Sequence, residues 1–88
     1  MSQQNWRRWQ KTLKSASLEI PKLYRRANGE LGRTGDQRKD LGTQLRAVNN
    51  LITWAKKLGY HTGLANQLSL EMLEEMKKNL ETQLRRLN

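Results

Sequence analysis

The stretch "DQRKDLGTQLRAVNNLITWAKKLG", residues 36–59, carries one helix with two chemistries. Asp36 is of the type that caps a helix N-terminus, and Gly59 of the type that ends one. Between them Leu41, Leu45, Val48, Leu51, Ile52, Ala55 and Leu58 recur every three or four residues, the period of a helix with one buried face. Gly42 weakens the first turns. At ~100° per residue, Lys39, Arg46 and Lys57 fall within about 20° of one another, opposite Val48. Thr43, Asn50 and Thr53 lie beside them, and Arg38 and Lys56 flank the edge. Asp40, the one acid after the cap, projects toward the apolar side. From Lys39 to Lys57 this edge runs roughly 27 Å along the helix axis.

Upstream, Trp6, Trp9, Leu13, Ala16 and Ile20 are spaced 3, 4, 3, 4, which is a heptad seam. Ser2 is a candidate cap for this first helix. Pro21 removes a backbone donor and disfavours helix at Ile20, so a break or kink is expected there. "PKLYRRANG" then supplies another turn or two, ending at Asn28-Gly29. The phase of Trp6 and Trp9 favours packing in a core or helix seam; stacking on nucleic-acid bases and anchoring at lipid headgroups are the alternatives. Arg7, Lys11 and Lys14 form a second basic stripe on an adjacent face. The segment "NGELGRTG", residues 28–35, reads as a mobile loop. Its glycine spacing matches no phosphate-binding fingerprint. Arg33 and the pair Arg25-Arg26 add positive charge near it.

Downstream, Ser69 is a candidate cap for a third helix, with Glu71 in its first turn. Leu70, Leu73, Met76, Leu80, Leu84 and Leu87 form its apolar stripe. The connection between the second and third helices faintly suggests the turn of a helix-turn-helix. However, Thr62 to Leu68 contains no Lys or Arg to hold phosphates beside a reading helix. His61 reads as a loop side chain.

The expected fold is therefore all-α: a long kinked helix 1, a long helix 2 and a shorter helix 3. Helices 1 and 2 form an antiparallel hairpin in a bundle completed by homodimerisation. Residues 1–88 make a single small basic domain, in which 1–58 is the basic hairpin and 59–88 the connection plus a neutral packing or dimerisation helix. The expected core comprises Trp6, Trp9, Leu13, Ile20, Leu41, Leu45, Val48, Ile52, Leu70, Leu73, Met76 and Leu80. A chain of 88 residues buries a modest core, which is why a second copy is expected.

Charge narrows the function. The net charge is +9, and residues 1–57 hold thirteen basic against four acidic side chains, while 58–88 hold four of each. The whole excess lies in the hairpin, which points to a polyanion. With no cysteine and one histidine, a thiolate metal site or a histidine triad is not expected, and no cofactor. Glu74 and Glu75 are adjacent and do not share a helix face, and no nucleophile–base set emerges, so no enzyme is expected. The sequence shows neither a signal-peptide h-region nor an apolar run of membrane-spanning length. A cytoplasmic location is expected.

The reading is a non-enzymatic protein that grips the phosphate backbone of a nucleic-acid duplex with little sequence preference. Its contact residues are Arg7, Lys11, Lys14, Arg33, Arg38, Lys39, Arg46, Asn50, Thr53 and Lys57. Double-stranded RNA is favoured over DNA because A-form duplexes are recognised by shape, phosphates and 2′-hydroxyls. The alternatives are a helical adaptor docking an acidic protein or ribonucleoprotein, and a DNA-binding accessory protein; a membrane surface ranks below these. In size, charge and helix count the chain resembles the small basic helical dimers with which viruses such as nodaviruses coat double-stranded RNA. That resemblance implies a viral suppressor of RNA silencing, acting in the host cytoplasm.

Overall fold

The structure, a computed structural model, describes residues 3–58 and 70–87, and not the side chains of residues 3–6 and 9. It consists of three helices: α1 Gln3–Ala27, α2 Gln37–Leu58 and α3 Leu70–Arg86. Strands are absent among the described residues. The caps expected at Ser2, Gly59 and Ser69, His61, the helix-turn-helix segment and the packing of Trp6 and Trp9 lie outside the described residues.

The break expected at Pro21 does not occur, because α1 runs through it. The seam explains why. Leu23 and Ala27 continue the 3, 4 spacing of Leu13, Ala16 and Ile20, so an unbroken helix keeps all of them on one face. Ala16, Ile20, Leu23 and Ala27 are all buried. Pro21 itself is exposed, so the hydrogen bond it cannot donate to the Ser17 carbonyl is lost on the solvent side of the helix. The cost of an interior proline, about 3 kcal/mol, is set against burial of the Leu23 and Ala27 side chains.

The stop at Asn28-Gly29 forms as expected. The Glu30 N–H donates to the Arg25 carbonyl at 2.8 Å and the Gly29 N–H to the Arg26 carbonyl at 3.1 Å, a Schellman cap. Gly29 has a φ of +78°, where a side chain is strained. The segment read as a mobile loop is pinned at its second half. The Asp40 carboxylate accepts the Thr34 N–H and hydroxyl, both at 2.8 Å, and the Gly35 N–H at 3.2 Å. Asp36 then caps α2, its Oδ1 accepting the N–H groups of Arg38 at 3.0 Å and Lys39 at 3.3 Å.

α2 is the centre of the molecule. It packs extensively against both α1 and α3, which hardly touch each other. The Trp54 indole N–H donates to Glu19 Oε2 at 3.1 Å, and Arg38 Nη2 donates to the Leu87 carbonyl at 3.1 Å. The end of α2 thus meets the middle of α1, while its start meets the end of α3, so each neighbour runs antiparallel to it. The core consists of the four α1 residues with Leu41, Ala47, Val48, Leu51, Ile52 and Leu58 of α2 and Leu73 and Leu80 of α3. Leu13, Leu45, Leu70 and Met76, expected inside, are only partly buried against it. The shape accounts for this: the molecule measures 51 × 24 × 17 Å. Its radius of gyration is 14.9 Å, against about 12 Å for a compact chain of this length. A layer one helix thick covers the middle of the seam and leaves its margins half open.

Candidate functional site

The polar edge of α2 survives folding as the sequence spacing implies. Lys39, Arg46, Asn50, Thr53 and Lys57 are all exposed, and Thr43 is half-buried beside them. The buried residues of α2 occupy the opposite arc, so the edge points away from the core. No acid interrupts it, because Asp40 turns back onto Thr34 and Gly35. Those hydrogen bonds hold the Asp40 carboxyl below its ordinary value, the Thr34 N–H first and the Thr34 hydroxyl next, with the Gly35 N–H and the Arg33 charge adding to them. The one acid of α2 is thereby ionised and occupied elsewhere.

The individual side chains differ in how free they are. The Lys57 ammonium stands 5.2 Å from the centroid of the Trp54 ring, a cation–π contact. Thr53 donates its hydroxyl proton to the Asn49 carbonyl at 3.1 Å, which leaves its oxygen lone pairs for a ligand. Arg38 is engaged by the end of α3 and holds α2 and α3 together. Arg33 lies in a different cleft, of about 540 Å³, shared with Gln37, Gln44 and Gln83. Arg7, Lys11 and Lys14 are exposed on α1, off its buried seam. The structure therefore gathers Lys39, Arg46, Asn50, Thr53 and Lys57 on one helix edge and leaves the other five positions apart from it.

Two features escape the sequence pattern. Trp54 falls between the apolar face and the polar edge, and it forms a cross-helix hydrogen bond to Glu19 while supporting Lys57. Arg26, at the end of α1, joins Arg46, Thr43 and Asn50 around a cleft of about 390 Å³. Only the antiparallel packing of α1 on α2 brings these residues together, so linear spacing carries no trace of it.

Among the described residues no group of three or more His, Asp or Glu side chains could hold a metal ion, and no helix is long and apolar enough to cross a membrane. No protein-family model, curated protein or solved structure matches the chain. What the arrangement offers chemically is a straight rail of cations and amide or hydroxyl groups, rigid because its opposite face is the core.

Proposed function

We propose that this is a non-enzymatic nucleic-acid-binding protein that grips the phosphate backbone of a duplex, double-stranded RNA in preference to DNA. One observation carries the reading: the exposed edge of α2 presents Lys39, Arg46 and Lys57 along roughly 27 Å with no acid among them. Cations at that spacing neutralise successive phosphates and release their counterions, which yields affinity without sequence selectivity. Asn50 and Thr53 supply polar groups suited to 2′-hydroxyls. A cytoplasmic protein that coats viral RNA and blocks silencing is the biological role we attach to it.

A second copy of the chain completes the bundle in this reading. The thin layer of helices and the half-buried Leu45, Met76 and Leu84 support it. Two-fold pairing places two α2 edges on one assembly and doubles the basic footprint. A gentle bend at Pro21, from its missing N–H, belongs to the same proposal.

The test is titration of labelled RNA duplex, DNA duplex, single strands and anionic vesicles at two salt concentrations. Duplex RNA should bind most tightly, weaken steeply with salt and vary little with sequence. Replacing Lys39, Arg46 and Lys57 together by Ala should weaken duplex binding at unchanged helicity. Unaltered affinity in that variant removes the α2 edge as the contact surface.

A further inference from the structure

A cleft between α1 and α2 opens off the α2 edge and shares Arg46 and Asn50 with it. Its walls are Arg26 of α1 and Arg46 of α2, with Thr43 and Asn50 contributing polar groups and Leu23 and Ala47 apolar ones. Among the described residues no acid lines it. Gly32 forms part of the rim at a φ of +75°. A Cβ there would meet Thr43 Cγ2 at an ordinary contact distance of 3.4 Å, so it is the positive φ and not lack of room that favours glycine at this position. The volume, about 390 Å³, lies within the range of small-ligand sites.

Charge selects the occupant. A bridging phosphodiester carries one negative charge and meets the open edge through single cations. Two guanidinium groups, one from each wall, match a dianion instead, and each presents a planar fork to phosphate oxygens. A phosphate monoester carries a charge of about −1.5 to −2 at neutral pH. We propose that the Arg26–Arg46 cleft binds a terminal phosphate monoester, the 5′-phosphate at the end of a nucleic-acid strand. Asn50 and Thr43 bond the phosphate or the first ribose, and Lys39, Thr53 and Lys57 of the α2 edge carry the rest of the duplex. This rests on the duplex reading above and adds to it a preference for phosphorylated ends.

The experiment compares short blunt RNA duplexes with 5′-phosphate and 5′-hydroxyl ends, inorganic phosphate alone, and vesicles containing phosphatidic acid. Readouts are binding affinity and the amide NMR signals of Gly32, Thr43 and Asn50. The phosphorylated duplex should bind about tenfold more tightly, the scale of one charge-assisted pair. Inorganic phosphate should shift the three amide signals. Arg26→Gln should abolish both effects while leaving the circular-dichroism spectrum unchanged, and Arg26→Lys should restore part of the preference. Lys39→Gln should weaken both duplexes equally and keep their ratio. Equal affinity for the two ends, or a preference that persists in Arg26→Gln, overturns the proposal. If phosphate shifts the cleft signals but neither duplex binds, the phosphate site stands and the duplex reading falls. If both duplexes bind alike and phosphate shifts nothing, the duplex reading stands and the cleft proposal falls. Arg26-dependent binding to the vesicles alone assigns the cleft to a lipid headgroup and overturns the strand-end proposal.

Discussion

Asp40 ties the connecting loop to α2. Its two oxygens receive three donors from Thr34 and Gly35, and this clamps the loop onto the first turn of α2. Its carboxyl lies below the ordinary 3.8 when folded, so the unfolded chain takes up the proton first as pH falls. The stabilisation is complete above the unfolded value and is lost as pH drops through the folded one. Acidification below about pH 4 should therefore reduce the protection of the Thr34 and Gly35 amides relative to their intrinsic exchange rates, and Asp40→Asn should show reduced protection already at neutral pH. Undiminished protection in Asp40→Asn would mean that the clamp is not what holds the loop. Gly29 is the other residue with a strict demand. Gly29→Ala places a side chain at φ +78° and against Gln44, and should lower stability by about 1–2 kcal/mol in a denaturant titration. The loop glycines were legible as turn residues, but the Asp40 clamp was not, since only the folded loop brings Thr34 within reach of the α2 carboxylate.

At the scale of the element, α1 shows two local rules in conflict. Proline chemistry argues for a break at residue 21, and the heptad spacing argues for continuity. Continuity prevails because Leu23 and Ala27 bury on the same seam as Ala16 and Ile20, while Pro21 faces solvent. Pro21→Ala restores the missing hydrogen bond on an exposed face and should raise stability by roughly 1–3 kcal/mol in thermal or denaturant unfolding. A loss of stability would show that the proline suits the folded helix better than alanine does. In α2, Leu51 is completely buried, and Leu51→Ala should cost about 2–5 kcal/mol, towards the lower end because a thin core relaxes readily. Arg46→Ala on the opposite face should leave stability nearly unchanged, within about 0.5 kcal/mol, as expected for an exposed side chain. That contrast separates the supporting face of α2 from its presenting face.

At the scale of the whole molecule, the layer is long and only 17 Å thick, with Leu18 and Met72 each 64% exposed. A dimer that covers the half-open seam should show twice the monomer mass by light scattering and a melting temperature that rises with protein concentration. A concentration-independent monomer would remove the two-fold arrangement from the proposed function. The sequence by itself determined the helical class, the three apolar stripes, the helix stop at Asn28-Gly29, the Asp36 cap and the basic edge of α2. Each of these depends on residues within a few turns of one another, and helical periodicity fixes their mutual direction. Tertiary structure alone decided that α2 lies between its neighbours, that α1 continues through Pro21, that Arg38 ties onto Leu87 and that Arg26 meets Arg46. Those outcomes depend on how separate helices dock, where burial of a shared seam outweighs local preference and brings together side chains that no sequence period relates.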